Sequence, residues 1–104
     1  MNIIITSTGD NTDAVFDKRF ARAQYFCVYN TDTRTAQFIS NTSNNNATCI
    51  GDTVVDKIID LKASKVISGD FGSKVKELLD KANIQMIILP NTEETITQII
   101  NKIK

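Results

Sequence analysis

Hydrophobic residues recur with two different periods along this chain, and the switch from one to the other divides it. Ile3-Ile4-Ile5 is an unbroken β-branched run closed by Thr6-Ser7-Thr8-Gly9-Asp10, which predicts a strand buried on both faces and central in a sheet. Residues 8–22 show no period. Tyr25-Phe26-Cys27-Val28-Tyr29 gives a second strand, Asn30-Thr31-Asp32-Thr33 supplies turn chemistry, and Arg34 to Ser40 alternates loosely through Ala36, Phe38 and Ile39 as an edge strand does. Asn41 to Asn46 contains only Asn, Thr and Ser, so it is expected to be a mobile loop with nothing to bury.

Beyond that loop the period becomes 3.6. Val54, Val55, Ile58, Ile59 and Leu61 fit one helix face, Val75, Leu78, Leu79 and Ala82 a second, and Ile96, Ile99, Ile100 and Ile103 a third. The apolar runs Lys65-Val66-Ile67-Ser68 and Gln85-Met86-Ile87-Ile88-Leu89 lie between the helices in strand positions. The expected fold is therefore α/β, with a five-stranded mixed sheet and three helices. If the first three strands alternate in direction and the later crossovers are right-handed, the strand order is 3-2-1-4-5.

That order makes the first and fourth strands neighbours whose connections leave in opposite directions, which is where open α/β sheets bind ligands. The loops gathered there are 8–22, 41–50 and 69–72. All three helices start at that rim, so their unpaired N–H groups favour an anion. The third helix is expected to begin within Asn91-Thr92-Glu93-Glu94, whose oxygens already complement its dipole, and the first carries Asp52 in its opening turn. The second opens Gly69-Asp70-Phe71-Gly72-Ser73-Lys74 with no acid inside the helix until Glu77, so Gly69, Gly72 and Ser73 are the leading anion-binding positions; turn glycines and a Ser cap are the plainer reading. Arg19 and Arg22 lie over the same crevice, to grip an anion or to pair with Asp13 or Asp17.

Composition narrows the chemistry. The 104 residues are expected to form one domain, and 12 Lys plus Arg against 12 Asp plus Glu give no electrostatic reason to expect nucleic acid. No apolar run approaches the ~20 residues of a membrane span, and no signal peptide is recognised at Met1, so a cytoplasmic protein is expected. Histidine is absent, which removes the commonest general base and metal ligand. Of two cysteines, Cys27 sits mid-strand as a small core residue, whereas Cys49 stands at the first helix's start, where a thiolate is favoured, and is the candidate metal ligand. Asp10 and Asp70 are too few for two-metal nuclease chemistry, and the central strand carries no acid.

Asp17-Lys18-Arg19-Phe20-Ala21-Arg22-Ala23-Gln24-Tyr25-Phe26 resembles the "rFGrapyF" signature of the dinitrogenase iron-molybdenum cofactor biosynthesis family, the NifX-like and NifB C-terminal-like domains. Cys27-Val28-Tyr29-Asn30 is similar to its "viYd", Val66-Ile67-Ser68-Gly69-Asp70-Phe71-Gly72 to its "vi.g.iG", and Leu78-Leu79-Asp80-Lys81-Ala82-Asn83-Ile84 to its "L..aGI". Ala21 and Asn83 stand where the family has Gly, and Cys49-Ile50-Gly51 keeps only the second Gly of the motif that opens the first helix. The resemblance implies a three-layer ribonuclease-H-like fold. It also implies a small non-enzymatic carrier of an iron-molybdenum cofactor-like or related Mo, Fe or Cu sulfide cluster, working with a protein partner in cluster assembly. The cluster would be held by Arg19, Arg22, Cys49, Gly51, Gly69, Gly72 and Ser73. A small-anion or nucleotide-binding regulatory domain is the alternative, and a metal-dependent nuclease the remote one.

Overall fold

In the computed structural model, residues 1–41, 50–89 and 92–103 are described. The chain runs β1 (Asn2–Ser7), β2 (Tyr25–Asn30), β3 (Thr35–Ser40), α1 (Ile50–Asp60), β4 (Ala63–Ser68), α2 (Ser73–Lys81), β5 (Gln85–Ile88) and α3 (Ile96–Ile103). The sheet has the order β3-β2-β1-β4-β5. β1 pairs antiparallel with β2 (Ile4 opposite Val28) and parallel with β4 (Ile5 opposite Ile67), so the predicted switch in direction lies between β1 and β4.

The unbroken Ile3-Ile4-Ile5 run reflects burial on both sides. Ile4 joins the core beneath α1 and α2 with Phe26, Val54, Ile58, Val66 and Leu79, whereas Ile3 and Ile5 join the opposite core beneath α3 with Cys27, Ile96 and Ile99. Right-handed crossovers that advance in one direction along a sheet place their helices on one face, which is where α1 and α2 pack. Among the described residues, α3 and residues 14–17, through Phe16, cover the other face. Phe16 N–H donates to Glu94 O at 2.9 Å and Ile96 N–H to Ala14 O at 2.9 Å, stitching the β1–β2 connection to the start of α3.

Two backbone details follow from side-chain chemistry. Asn83 adopts φ 60 just past α2, the left-handed position that ends many helices; glycine is usual there, and Asn is among the residues that tolerate it best. Asn41 departs from expectation. It is buried, and its Nδ2 donates to both Ala21 O and Ala23 O at 2.8 Å, so it clamps the turn that carries Arg22. The rest of the expected mobile loop, and Cys49 with it, lies outside the described residues.

Candidate functional site

The β1–β2 connection reaches the site because its middle is anchored to the sheet's centre. Thr6 Oγ1 donates to Asp17 O, Ser68 Oγ lies 3.1 Å from that hydroxyl, and Asp17 N–H donates to Thr6 O at 2.9 Å. Lys18 then passes directly over the end of β4. A Cβ at Gly69 would stand 2.5 Å from Lys18 O and 2.6 Å from Lys18 Cα, closer than atoms can approach. Gly69 therefore serves close approach by the chain's own Lys18 backbone, which a side chain at this position would block.

That contact brings the two predicted segments together. Arg19, Phe20, Ala21 and Arg22 face Asp70, Gly72 and Val75 across a pocket of about 360 Å³. Below it, Phe20 stacks at a tilt on Phe71 with ring centroids 5.2 Å apart, and both rings are buried with Val75 in the core. The pocket thus has a rigid apolar floor and a polar rim.

The rim's donors differ in how far they are already engaged. Asp17, 4 % exposed, accepts Arg19 N–H at 2.9 Å, Arg19 Nε at 3.1 Å and Arg19 Nη2 at 3.0 Å. This two-pronged grip raises the Arg19 pKa further above its ordinary value, through the hydrogen bonds first and the Asp17 charge second. The pairing anticipated as Arg19's plainer role is real, yet the side chain stays more than half exposed at the pocket. Asp70, a carboxylate on the pocket wall, is a feature the sequence reading weighed only as a metal ligand. Two guanidinium groups thus stand with two carboxylates, so the pocket offers an anion directed N–H groups more than net charge.

Those N–H groups include the first turn of α2. Gly72 is its N-cap, with extended backbone (φ −65, ψ 158), no side chain to cap the helix and no acid in the first turn. Of the predicted binding residues, Arg19, Arg22 and Gly72 line the pocket, whereas Gly69 and Ser73 stand beside it. Gly51 lies in the first turn of α1, and Cys49 lies outside the described residues. Cys27 is sealed in the core beneath α3, where burial pushes its thiol up to about 12 and keeps it protonated. Among the described residues no group of three His, Cys, Asp or Glu side chains could hold a metal ion.

A mixed sheet with helices on both faces and a pocket where β1 and β4 send their connections apart defines a small α/β protein of the switch-point class. The chain belongs to the dinitrogenase iron-molybdenum cofactor family, which matches it over residues 1–104. Among solved structures, the apo form of the orange protein from Desulfovibrio gigas is similar, with a TM-score of 0.89 and 24% identity over 98% of this chain and 85% of that one. A Thermotoga protein described as NifB-like, solved by NMR, superposes with a TM-score of 0.84 and 24% identity over the same 98% and 85%. No curated protein matches the chain in sequence. No helix among the described residues is long and apolar enough to cross a membrane.

Proposed function

We propose that this protein is a non-enzymatic carrier for an anionic metal–sulfur cluster or thiometallate, acting in metallocluster assembly in the cytoplasm with a protein partner that delivers or accepts the cargo. One observation carries the reading: the uncapped start of α2 at Gly72 opens into the pocket that Arg19 and Arg22 overhang. Family membership supplies the class of cargo, and the three-layer build with order 3-2-1-4-5 supports the ribonuclease-H-like description.

The donor set suits such a cargo in a particular way. Guanidinium and backbone N–H groups hydrogen-bond to the sulfides on the outside of a cluster and make no bond to its metals. The pocket's apolar floor suits large, weakly hydrated sulfide anions better than phosphate, which holds its water tightly. Cys49 is the one candidate for a direct thiolate bond. Asp70 is the opposing element, lowering affinity for any highly charged guest.

Anaerobic reconstitution with tetrathiomolybdate and copper, or with iron, molybdate and sulfide, tests the reading. The expected result is a protein-bound visible charge-transfer spectrum that survives desalting. Arg22→Gln should weaken retention about tenfold or more, in line with loss of a hydrogen bond from a charged donor. Colour unaffected by Arg19→Gln and Arg22→Gln together, or no colour with any of these metals, would contradict it. Inorganic phosphate bound as tightly as thiomolybdate would favour the small-anion alternative.

A further inference from the structure

The opposite face of the sheet is covered unequally. α3 shares one core with residues of β1, β2 and β4 through Ile96 and Ile99, and no second helix joins that core among the described residues. A trough is left between the flank of α3 and the outer strands, with one part of about 360 Å³ and an adjoining part of about 210 Å³. Tyr29 and Arg34 line both parts.

Tyr29 is the telling residue. It is only 4 % exposed, yet its hydroxyl makes no hydrogen bond among the described residues, and it is not sealed from solvent. A phenol buried to that degree ordinarily finds a partner. Here the hydroxyl reaches solvent through the trough that the ring floors. Arg34, at the turn before β3, is exposed at the trough's edge, and its guanidinium has no ion pair or hydrogen bond among the described residues. Asn101 adds a carboxamide from α3, Ala36, Ile100 and Ile103 supply the apolar part of the wall, and Thr12, Thr31 and Thr97 complete it.

One cation with a forked donor, one unpartnered hydroxyl that opens into the trough and a partly apolar wall match a small organic carboxylate with a flat hydrophobic body. We infer that the trough between α3 and β2–β3 is a second ligand site, which takes such a carboxylate on Arg34 and the Tyr29 hydroxyl while its body lies against Ala36, Ile100 and Ile103. The site lies across the sheet from the α2 pocket and does not depend on the cargo proposed there.

Titration of the ¹⁵N-labelled protein with benzoate, acetate and inorganic phosphate tests this. Benzoate is expected to shift the amides of Ala36, Thr97 and Asn101 in a saturable way and to leave those of residues 19–22 and 70–75 in place. Tyr29→Phe keeps the ring and removes only the hydroxyl, and should weaken benzoate about fivefold to tenfold, the scale of one lost hydrogen bond. Arg34→Gly removes the guanidinium at a backbone position, φ 57, that glycine adopts readily, so the fold is retained and binding should fall at least about tenfold. An unchanged benzoate affinity in both variants, acetate or phosphate binding as well as benzoate, or shifts confined to residues 19–22 and 70–75 would each overturn the assignment.

Discussion

The starts of α2 and α3 are built from the same backbone groups and finished in opposite ways. At α3, Thr95 Oγ1 accepts Gln98 N–H at 3.3 Å while Gln98 Oε1 accepts Thr95 N–H at 2.9 Å, a reciprocal capping box. The carbonyls of Ala14 and Thr12 take the Ile96 and Thr97 N–H groups at 2.9 and 3.0 Å. Every one of these donors is engaged by the chain itself. At α2 the cap is Gly72, which has no side chain to offer, and the surroundings are a pocket. A helix start closed by its own loop stabilises the fold, whereas one left open keeps its dipole available to a ligand.

The largest expected effect comes from breaking the contact that walls the open end. Gly69→Val forces side-chain atoms into Lys18 backbone, so it should destabilise the fold by about 3 kcal/mol or detach residues 17–22, measured by chemical denaturation and by loss of anion binding. Opening the closed end comes next. Thr95→Ala removes half the capping box and should cost about 1–2 kcal/mol without altering cargo affinity.

Closing the open end is gentler on the fold. A Cβ at Gly72 meets nothing within 4 Å, so Gly72→Asp should be accommodated, raise stability by a few tenths of a kcal/mol and cut thiometallate affinity at least about tenfold by placing a carboxylate at the donors. Asn83→Gly acts at the other end of the same helix. It relieves φ 60 and should raise stability by up to about 1 kcal/mol while binding stays unchanged, which separates helix stability from ligand access.

The smallest effect concerns Glu94, just ahead of α3. Its carboxylate lies below the usual range through a hydrogen bond from Lys102, then one from Thr92. A depressed carboxylate pKa adds stability that is present above the unfolded value of about 4.3 and fades as pH falls through the folded one. Thermal melts across that acidic window should therefore show a shallower slope in Lys102→Ala, and the difference should shrink with salt.

Much of this was legible in the residues, for reasons that can be named. A run such as Ile3-Ile4-Ile5 fits only a strand covered on both sides, and helical spacing of Ile96, Ile99, Ile100 and Ile103 leaves one face to bury, so the strand order and the layers followed. Asn83 is marked only by the resemblance, as a residue standing where the family has Gly, and its φ of 60 gives the reason. The partners of polar groups were less legible, because they depend on distances between segments far apart in the chain. The start of α3 is an example: Asn91 to Glu94 have cap-like composition, yet Phe16 bonds to Glu94 O and the helix begins at Ile96 behind Thr95. Asn41 has the composition of one more loop asparagine, and only the fold supplies its two bonds to Ala21 and Ala23. Gly69 has the composition of an anion-binding or turn glycine, and only the fold reveals that Lys18 backbone packs against it.

The central claim is that the open start of α2, overhung by Arg19 and Arg22, receives a sulfide-rich anion. Its most direct test is an anaerobic titration of the ¹⁵N-labelled protein with tetrathiomolybdate. Saturable shifts of the Arg22, Gly72, Ser73 and Val75 amides, with those of Ile96 to Gln98 unmoved, are the predicted result. Shifts at α3 with none at α2, or no saturable shift anywhere, would contradict the account.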